Sequence, residues 1–326
     1  MSIIQTKALA KSYRRFEKQP GFMGSVKSLI HRKYLEEKAV SDFDLEIEQG
    51  EFVGLIGRNG AGKTTLVKML TGIIAPTSGH IDVLGYYPND LKNDFKKQYA
   101  VVMGQKSQLF FDLTPADTFL LFRELYGIPD GEYRRNLEYF TDLFDASRYL
   151  NVQVRTLSLG ERMKMELIVA LLHSPRILFL DEPTLGLDAV AQKQVRTFLA
   201  EVNAAKGTTV LLTSHYMEDI QSLCERCVLI DGGRKIHDGP TAGLFERYRK
   251  YRRIVLTFEN EVRPEIPAGC TVLDQGAFGL TLSVPRREAQ VVVRKFFEKY
   301  DVKDVAIEEE DIGNVVGRIY GEEEQR

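Results

Sequence analysis

Hydrophobic and polar positions along the chain change period several times, and each change predicts a different kind of element. Phe52–Ile56, Ile177–Leu180, Thr208–Thr213 and Val228–Ile230 are short, nearly unbroken apolar runs. Such runs predict strands of a parallel sheet buried on both faces. Ala39–Glu48 alternates instead, with apolar residues at Val40, Phe43, Leu45 and Ile47, as a half-buried strand does. Ile3–Leu9, His80–Leu84 and Tyr99–Met103 add three more strands. From Thr114 to Val154 the spacing becomes helical, through Phe119, Phe122 and Leu125 and then Leu137, Phe140 and Phe144. The pattern is that of an α/β domain with an all-α stretch inserted. Beyond residue 250 the tail alternates strands (Ile254–Phe258, Leu280–Val284, Val302–Ile307) with a helix, Arg286–Tyr300. A small α+β domain is expected there.

Two stretches interrupt this order. In the first, residues 14–38, Pro20-Gly21 and Gly24 mark a turn, and Ser25 caps a predicted helix running to Tyr34 or Glu36. Val26, Leu29 and Ile30 share one face of it, with Lys27, His31 and Arg32 around the others. Such a basic amphipathic helix lies on a membrane interface or a partner helix, or packs on its own domain. The second is the basic cluster Arg247, Arg249, Lys250, Arg252 and Arg253, read as a solvated helix face or a contact for anionic lipid.

Composition narrows the function classes. At 326 residues with 44% hydrophobic content, the chain suffices for one large and one small domain. A net charge of −2 gives no bulk attraction to nucleic acid, and none is expected as a partner. Three cysteines are too few and too odd for a disulfide framework, so a reducing cytoplasm is the expected compartment. Cys224 and Cys227 have C-x-x-C spacing without a second pair to complete a zinc site, and are read as buried thiols. Met1–Lys7 lacks the apolar core of a signal peptide, and no apolar run approaches the ~20 residues that span a bilayer.

The candidate chemistry centres on Gly57-Arg58-Asn59-Gly60-Ala61-Gly62-Lys63-Thr64-Thr65. An apolar strand precedes it and a helical pattern follows, which is the context a phosphate-binding loop requires. Its glycines let backbone N–H groups close around a β-phosphate at a helix N-terminus. Lys63 is suited to the β- and γ-phosphates, and the Thr64 hydroxyl to Mg²⁺. Downstream, Asp181 ends a buried strand, where a carboxylate can orient Mg²⁺, and adjacent Glu182 is placed to act as general base. Gln105 and His215 close neighbouring strands, at the carboxyl edge where open α/β sheets bind ligands. Gln105 is a candidate for metal and water, and His215 for the γ-phosphate. Leu157-Ser158-Leu159-Gly160-Glu161-Arg162 opens a helix and makes a second anion site, with Ser158 as cap and Gly160 allowing close approach. Two chains meeting head-to-tail would put that serine on each other's nucleotide. Tyr13 is placed either to stack on the base or as a half-buried strand-end tyrosine.

This set resembles the nucleotide-binding subunit of the ATP-binding cassette (ABC) transporters, in family order over roughly residues 1–245. The pieces are GRNGAGKTT (57–65), Gln105, LSLGER (157–162), LFLDEPT (178–184), Gly186-Leu187-Asp188 and His215. The resemblance implies a P-loop NTPase core (1–245) with a helical subdomain at about 112–172, an early insertion at about 14–38 and a C-terminal domain at 250–326. It implies ATP and Mg²⁺ as cofactors, with Lys63, Thr64, Gln105, Asp181, Glu182 and His215 acting in cis and Ser158 and Gly160 in trans. It further implies a second copy or a homologous ATPase as partner, integral membrane permease subunits, and a place on the cytoplasmic face of the membrane. Leu159 stands where that family usually has glycine, and Glu161 where it usually has glutamine. GQKSQL (104–109) and LLTSHYMEDI (211–220) resemble the ABC-2 type exporter group. The other classes weighed are a soluble ABC ATPase acting on ribosomes or DNA, and an ABC importer ATPase.

Overall fold

The computed structural model describes residues 2–16, 34–104, 106–214, 216–248, 250–310 and 317. The chain divides into two compact units, Met1–Gly239 and Pro240–Arg326. The strands of the first are β1 (Ser2–Phe16), β2 (Tyr34–Glu48), β3 (Phe52–Gly57), β4 (Ser78–Val83), β5 (Tyr99–Met103), β6 (Ile177–Asp181), β7 (Thr209–Thr213), β8 (Arg226–Asp231) and β9 (Arg234–Pro240). Its longer helices are α1 (Lys63–Leu70), α2 (Pro115–Tyr126), α3 (Asp130–Leu143), α4 (Leu159–Leu171), α5 (Ala189–Lys206) and α6 (Met217–Leu223).

The main sheet runs β5-β6-β7-β3-β8-β9, and its β5/β6, β6/β7, β7/β3 and β3/β8 pairs are parallel. The continuously apolar runs are its central strands: every residue of β3 and β7 is buried. A second sheet, β2-β1-β4, is antiparallel and packs Ile4, Leu9, Phe43, Leu45 and Ile47 into the same core as Leu66, Leu70 and Phe179. α1 lies in that core, which anchors the phosphate-loop helix between the two sheets.

Local signals set the helix starts. Thr114 and Asp117 form a reciprocal capping box before α2, with Pro115 at the first position, and Gly127 closes the helix at φ 65°. Ser158 and Glu161 form the same box before α4. Each such cap contributes about 1 kcal/mol. α4 is buried from Met163 to Leu171. α3 is joined to α5 by aromatic packing: the rings of Phe144, at the end of α3, and Phe198 stack at 3.6 Å.

The early insertion differs from its sequence reading. β1 and β2 pair as one long hairpin out to Phe16 and Tyr34, so residues 34–36, expected as the end of a helix, are strand. Pairing with β1 overrides the local helical pattern. The rest of that predicted helix lies outside the described residues.

The second unit holds α7 (Thr241–Tyr248), β10 (Tyr251–Phe258), β11 (Thr271–Gln275), β12 (Gly279–Pro285), α8 (Ala289–Lys299) and β13 (Val302–Glu309). Its antiparallel sheet, β11-β12-β10-β13, packs Ile254, Leu256, Leu280 and Leu282 against Val292 and Phe296 of α8. The division at Gly239 falls before the sequence boundary, because β9 carries the first unit's sheet up to it.

Phe198→Ala removes one ring of a fully buried stack and should cost ~3–5 kcal/mol, read as a lower denaturation midpoint.

Candidate functional site

β3 lies between β7 and β8, with Gly54 in register with Leu212 and Cys227. The chain leaving Gly57 therefore emerges in the middle of the sheet's carboxyl edge. It turns through residues 58–62 and enters α1. Gly62 takes φ 107°, and a Cβ there would sit 2.2 Å from the Ala39 carbonyl oxygen. Backbone angle and packing both require glycine.

Lys63 is buried, and its Nζ donates to the carbonyl oxygens of Gly57 (2.6 Å) and Arg58 (3.2 Å). Burial lowers its pKa, and the nearby carboxylates of Glu182 and Asp181 oppose that shift. Thr64 Oγ1 donates to Asp181 Oδ2 at 3.0 Å, and Thr213 Oγ1 donates to Asp181 Oδ1 at 2.6 Å. A threonine hydroxyl beside a carboxylate is a hard-oxygen donor set, the chemistry Mg²⁺ takes.

Glu182 has φ 57°, a left-handed backbone that costs an L-residue about 1–2 kcal/mol. Its neighbours hold it there. Its N–H donates to the Thr213 carbonyl at 3.0 Å, and a Cβ on Gly104 would come within 2.3 Å of the Glu182 carbonyl oxygen. Glu182 thus lines a hollow of about 510 Å³ together with residues 58–65 and with Tyr13, Arg14, Glu37 and Ala39 of the hairpin. It also lines a smaller one with Thr64, Gly104 and Asp181. Tyr13 and Glu37 are register partners, and Lys11 Nζ lies 5.4 Å from the Tyr13 ring centroid.

Ser158, Leu159 and Gly160 are not among the residues that line this hollow. Ser158 caps α4: its Oγ accepts from Glu161 N at 3.3 Å, while Glu161 Oε2 accepts from Ser158 N at 2.8 Å. The Ser158 backbone N–H holds the Glu161 carboxyl below the usual carboxylate range. A Cβ on Gly160 would lie 2.9 Å from the Ala191 Cβ, so this glycine lets α4 approach α5. Leu159 packs against the turn at Gly186 and borders a hollow with Met103, Lys106 and Arg162. Asp188 caps α5 through Ala191 N at 2.8 Å. Gln105 and His215 lie outside the described residues. Cys224 and Cys227 are buried, and burial pushes the Cys224 thiol well up.

The sequence reading missed Glu166. This residue sits in the apolar run of α4, and its carboxylate accepts from the Ser107 hydroxyl and from the backbone N–H groups of Gln108 (3.0 Å) and Leu109 (3.4 Å). It fastens the segment after Gln105 to the helix that begins at Ser158. A lone carboxylate among Met163, Met165, Leu167 and Ile168 was the available signal. Burial pushes its pKa up, against the pull of those hydrogen bonds.

A family model described as ABC transporter matches residues 40–185. The ABC transporter ATP-binding protein NatA of Bacillus subtilis (strain 168) is 35% identical over 212 residues, 65% of this chain and 86% of that one. The Nod factor export ATP-binding protein I of Cupriavidus pinatubonensis is 32% identical over 217 residues, 67% of this chain and 66% of that one. A solved ATP-binding subunit of an ABC transporter superposes with a TM-score of 0.62 at 27% identity, covering 76% of this chain and 93% of the other.

A carboxyl whose folded pKa is raised stabilises the fold most at acid pH and loses that contribution as pH climbs through the raised value. The melting temperature of wild type minus that of Glu166→Gln should therefore fall as pH rises through and just above the ordinary carboxylate range. Thermal unfolding over a pH series checks it.

Proposed function

Because this chain belongs to the family of ABC transporter ATP-binding proteins, and is an ATP-hydrolysing subunit of that family, we propose that it powers an ABC-2 type exporter as a head-to-tail dimer on the cytoplasmic face of the membrane. The observation that carries the catalytic reading is Asp181. It is bonded at once to Thr64 of the phosphate loop and to Thr213 of β7, with Glu182 next along the chain lining the same hollow as Lys63.

In this reading the N–H groups of residues 58–65 and the Lys63 ammonium hold the β- and γ-phosphates, and Tyr13 stacks on the adenine. Thr64 and Asp181, with Gln105, hold Mg²⁺, which neutralises charge on the phosphates when bound. Glu182 takes a proton from the attacking water while the bond from the γ-phosphorus to the ADP oxygen breaks. His215 donates to the γ-phosphate. Ser158 and Gly160, apart from this chain's own hollow, serve the nucleotide of the partner copy.

Export is supported by the similarity to a protein named for Nod factor export. Among the described residues no helix is long and apolar enough to cross a membrane, and the proposed partners are permease subunits on other chains. Purification from gently solubilised membranes tests this. A polytopic protein retained in stoichiometric amount supports it, whereas recovery with ribosomes, nucleic acid or a solute-binding protein contradicts it.

Glu182→Gln should lower the rate of phosphate release about 10²–10⁴-fold while leaving ATP affinity intact. Lys63→Ala should weaken ATP binding itself. Calorimetry beside a phosphate-release assay separates the two effects.

A further inference from the structure

α6 contributes Asp219, a carboxylate with 0% exposure. Burying a charge is costly unless partners replace water, and the partners here come from three separate places. Thr184 Oγ1, in the turn after Glu182, donates to Oδ2 at 2.5 Å. Ser214 Oγ, just past β7, donates to the same oxygen at 2.7 Å. Arg196 of α5 donates to Oδ1 at 2.9 Å.

Each hydroxyl controls a turn. Ser214 Oγ accepts from Tyr216 N at 2.9 Å, so the residues on both sides of His215 are held by one oxygen. Thr184 is part of the turn in which Leu185 N donates to the Glu182 carbonyl and Leu187 N to the Thr184 carbonyl, both at 3.2 Å. That turn begins at the left-handed Glu182. A carboxylate accepts only, so each hydroxyl reaches Oδ2 as a donor, the Ser214 hydroxyl being shared with the Tyr216 carbonyl at 3.1 Å, and the common acceptor ties the two turns together. An asparagine could keep both hydroxyls on its one acceptor oxygen while turning its donor nitrogen to Arg196, whereas an alanine leaves neither hydroxyl an acceptor.

We propose that Asp219 is a positioning residue that locks the Glu182 turn to Ser214 and Tyr216, the sequence neighbours of His215, so that the hydrolytic step depends on it while nucleotide binding does not. The proposal rests on the roles given to Glu182 and His215 above. None of the four residues of the cluster lines the nucleotide hollow.

The test uses the full chain in its purified assembly, with ATP affinity, kcat, KM and melting temperature measured for each variant. Asp219→Ala should lose kcat at least about tenfold, the scale on which misplaced catalytic groups act. Its ATP affinity should stay within about twofold of wild type, since the lost interaction does not bind substrate. Thr184→Val should reproduce the loss, and Thr184→Ser, which keeps the donor, should restore kcat. A folded Asp219→Ala with wild-type kcat overturns the proposal. So does a parallel fall of kcat and binding capacity in proportion to the folded fraction. If Asp219→Ala does not fold, the threonine pair decides: equal kcat in Thr184→Val and Thr184→Ser overturns it. A wild-type protein that does not hydrolyse ATP overturns the proposed function and this inference with it. Wild-type hydrolysis with an unaffected Asp219→Ala overturns this inference alone.

Discussion

Asp181 is gripped by two threonine hydroxyls, one from the phosphate-loop helix and one from the neighbouring strand. That pair of bonds joins the ends of β6 and β7 to the first turn of α1 at the sheet's carboxyl edge. The parallel register makes it possible, since Asp181 pairs with Thr213 and Met103 across adjacent strands. Everything around it depends on this edge: the loop that holds Lys63, the strained Glu182 backbone, and the turn that leads to the cap of α5.

The electrostatics follow from the same edge. Lys63 is buried deeply enough that desolvation lowers its pKa, and the carboxylates of Asp181 and Glu182 resist the shift. A cation held between backbone carbonyls and two carboxylates is poised for an anionic ligand that brings its own counter-ion. The Glu182 backbone is fixed by Thr213 and by the close approach of Gly104. Rigid placement of that kind is what catalysis by orientation requires.

Much of the fold was legible because its signals are local. The apolar runs of β3, β6, β7 and β8 and the glycine turn after β3 need no knowledge of distant residues. The cap at Ser158 is equally local. What stayed hidden depends on long-range partners. The length of the β1–β2 hairpin comes from pairing Phe16 with Tyr34, and β11 is exposed at all five positions, leaving no alternation to read. Glu166 bonds to residues more than fifty positions away, and nothing in α4 alone reveals its partners. Leu159, a departure from the usual family pattern, acquires a physical reason only in three dimensions, where it packs on the Gly186 turn, whereas Glu161 completes the local cap that Ser158 begins.

The central claim is that each nucleotide site is completed by the serine of a second copy. Mixing two defective variants tests it most directly. Lys63→Ala breaks the phosphate loop and Ser158→Arg breaks the donated cap, so neither alone should hydrolyse ATP. Co-assembled from differently tagged copies, they should regain hydrolysis, because one site then combines an intact Lys63 with an intact Ser158. A mixed assembly that stays as inactive as its parents, or a Ser158→Arg variant that works alone at the wild-type rate, would contradict the account.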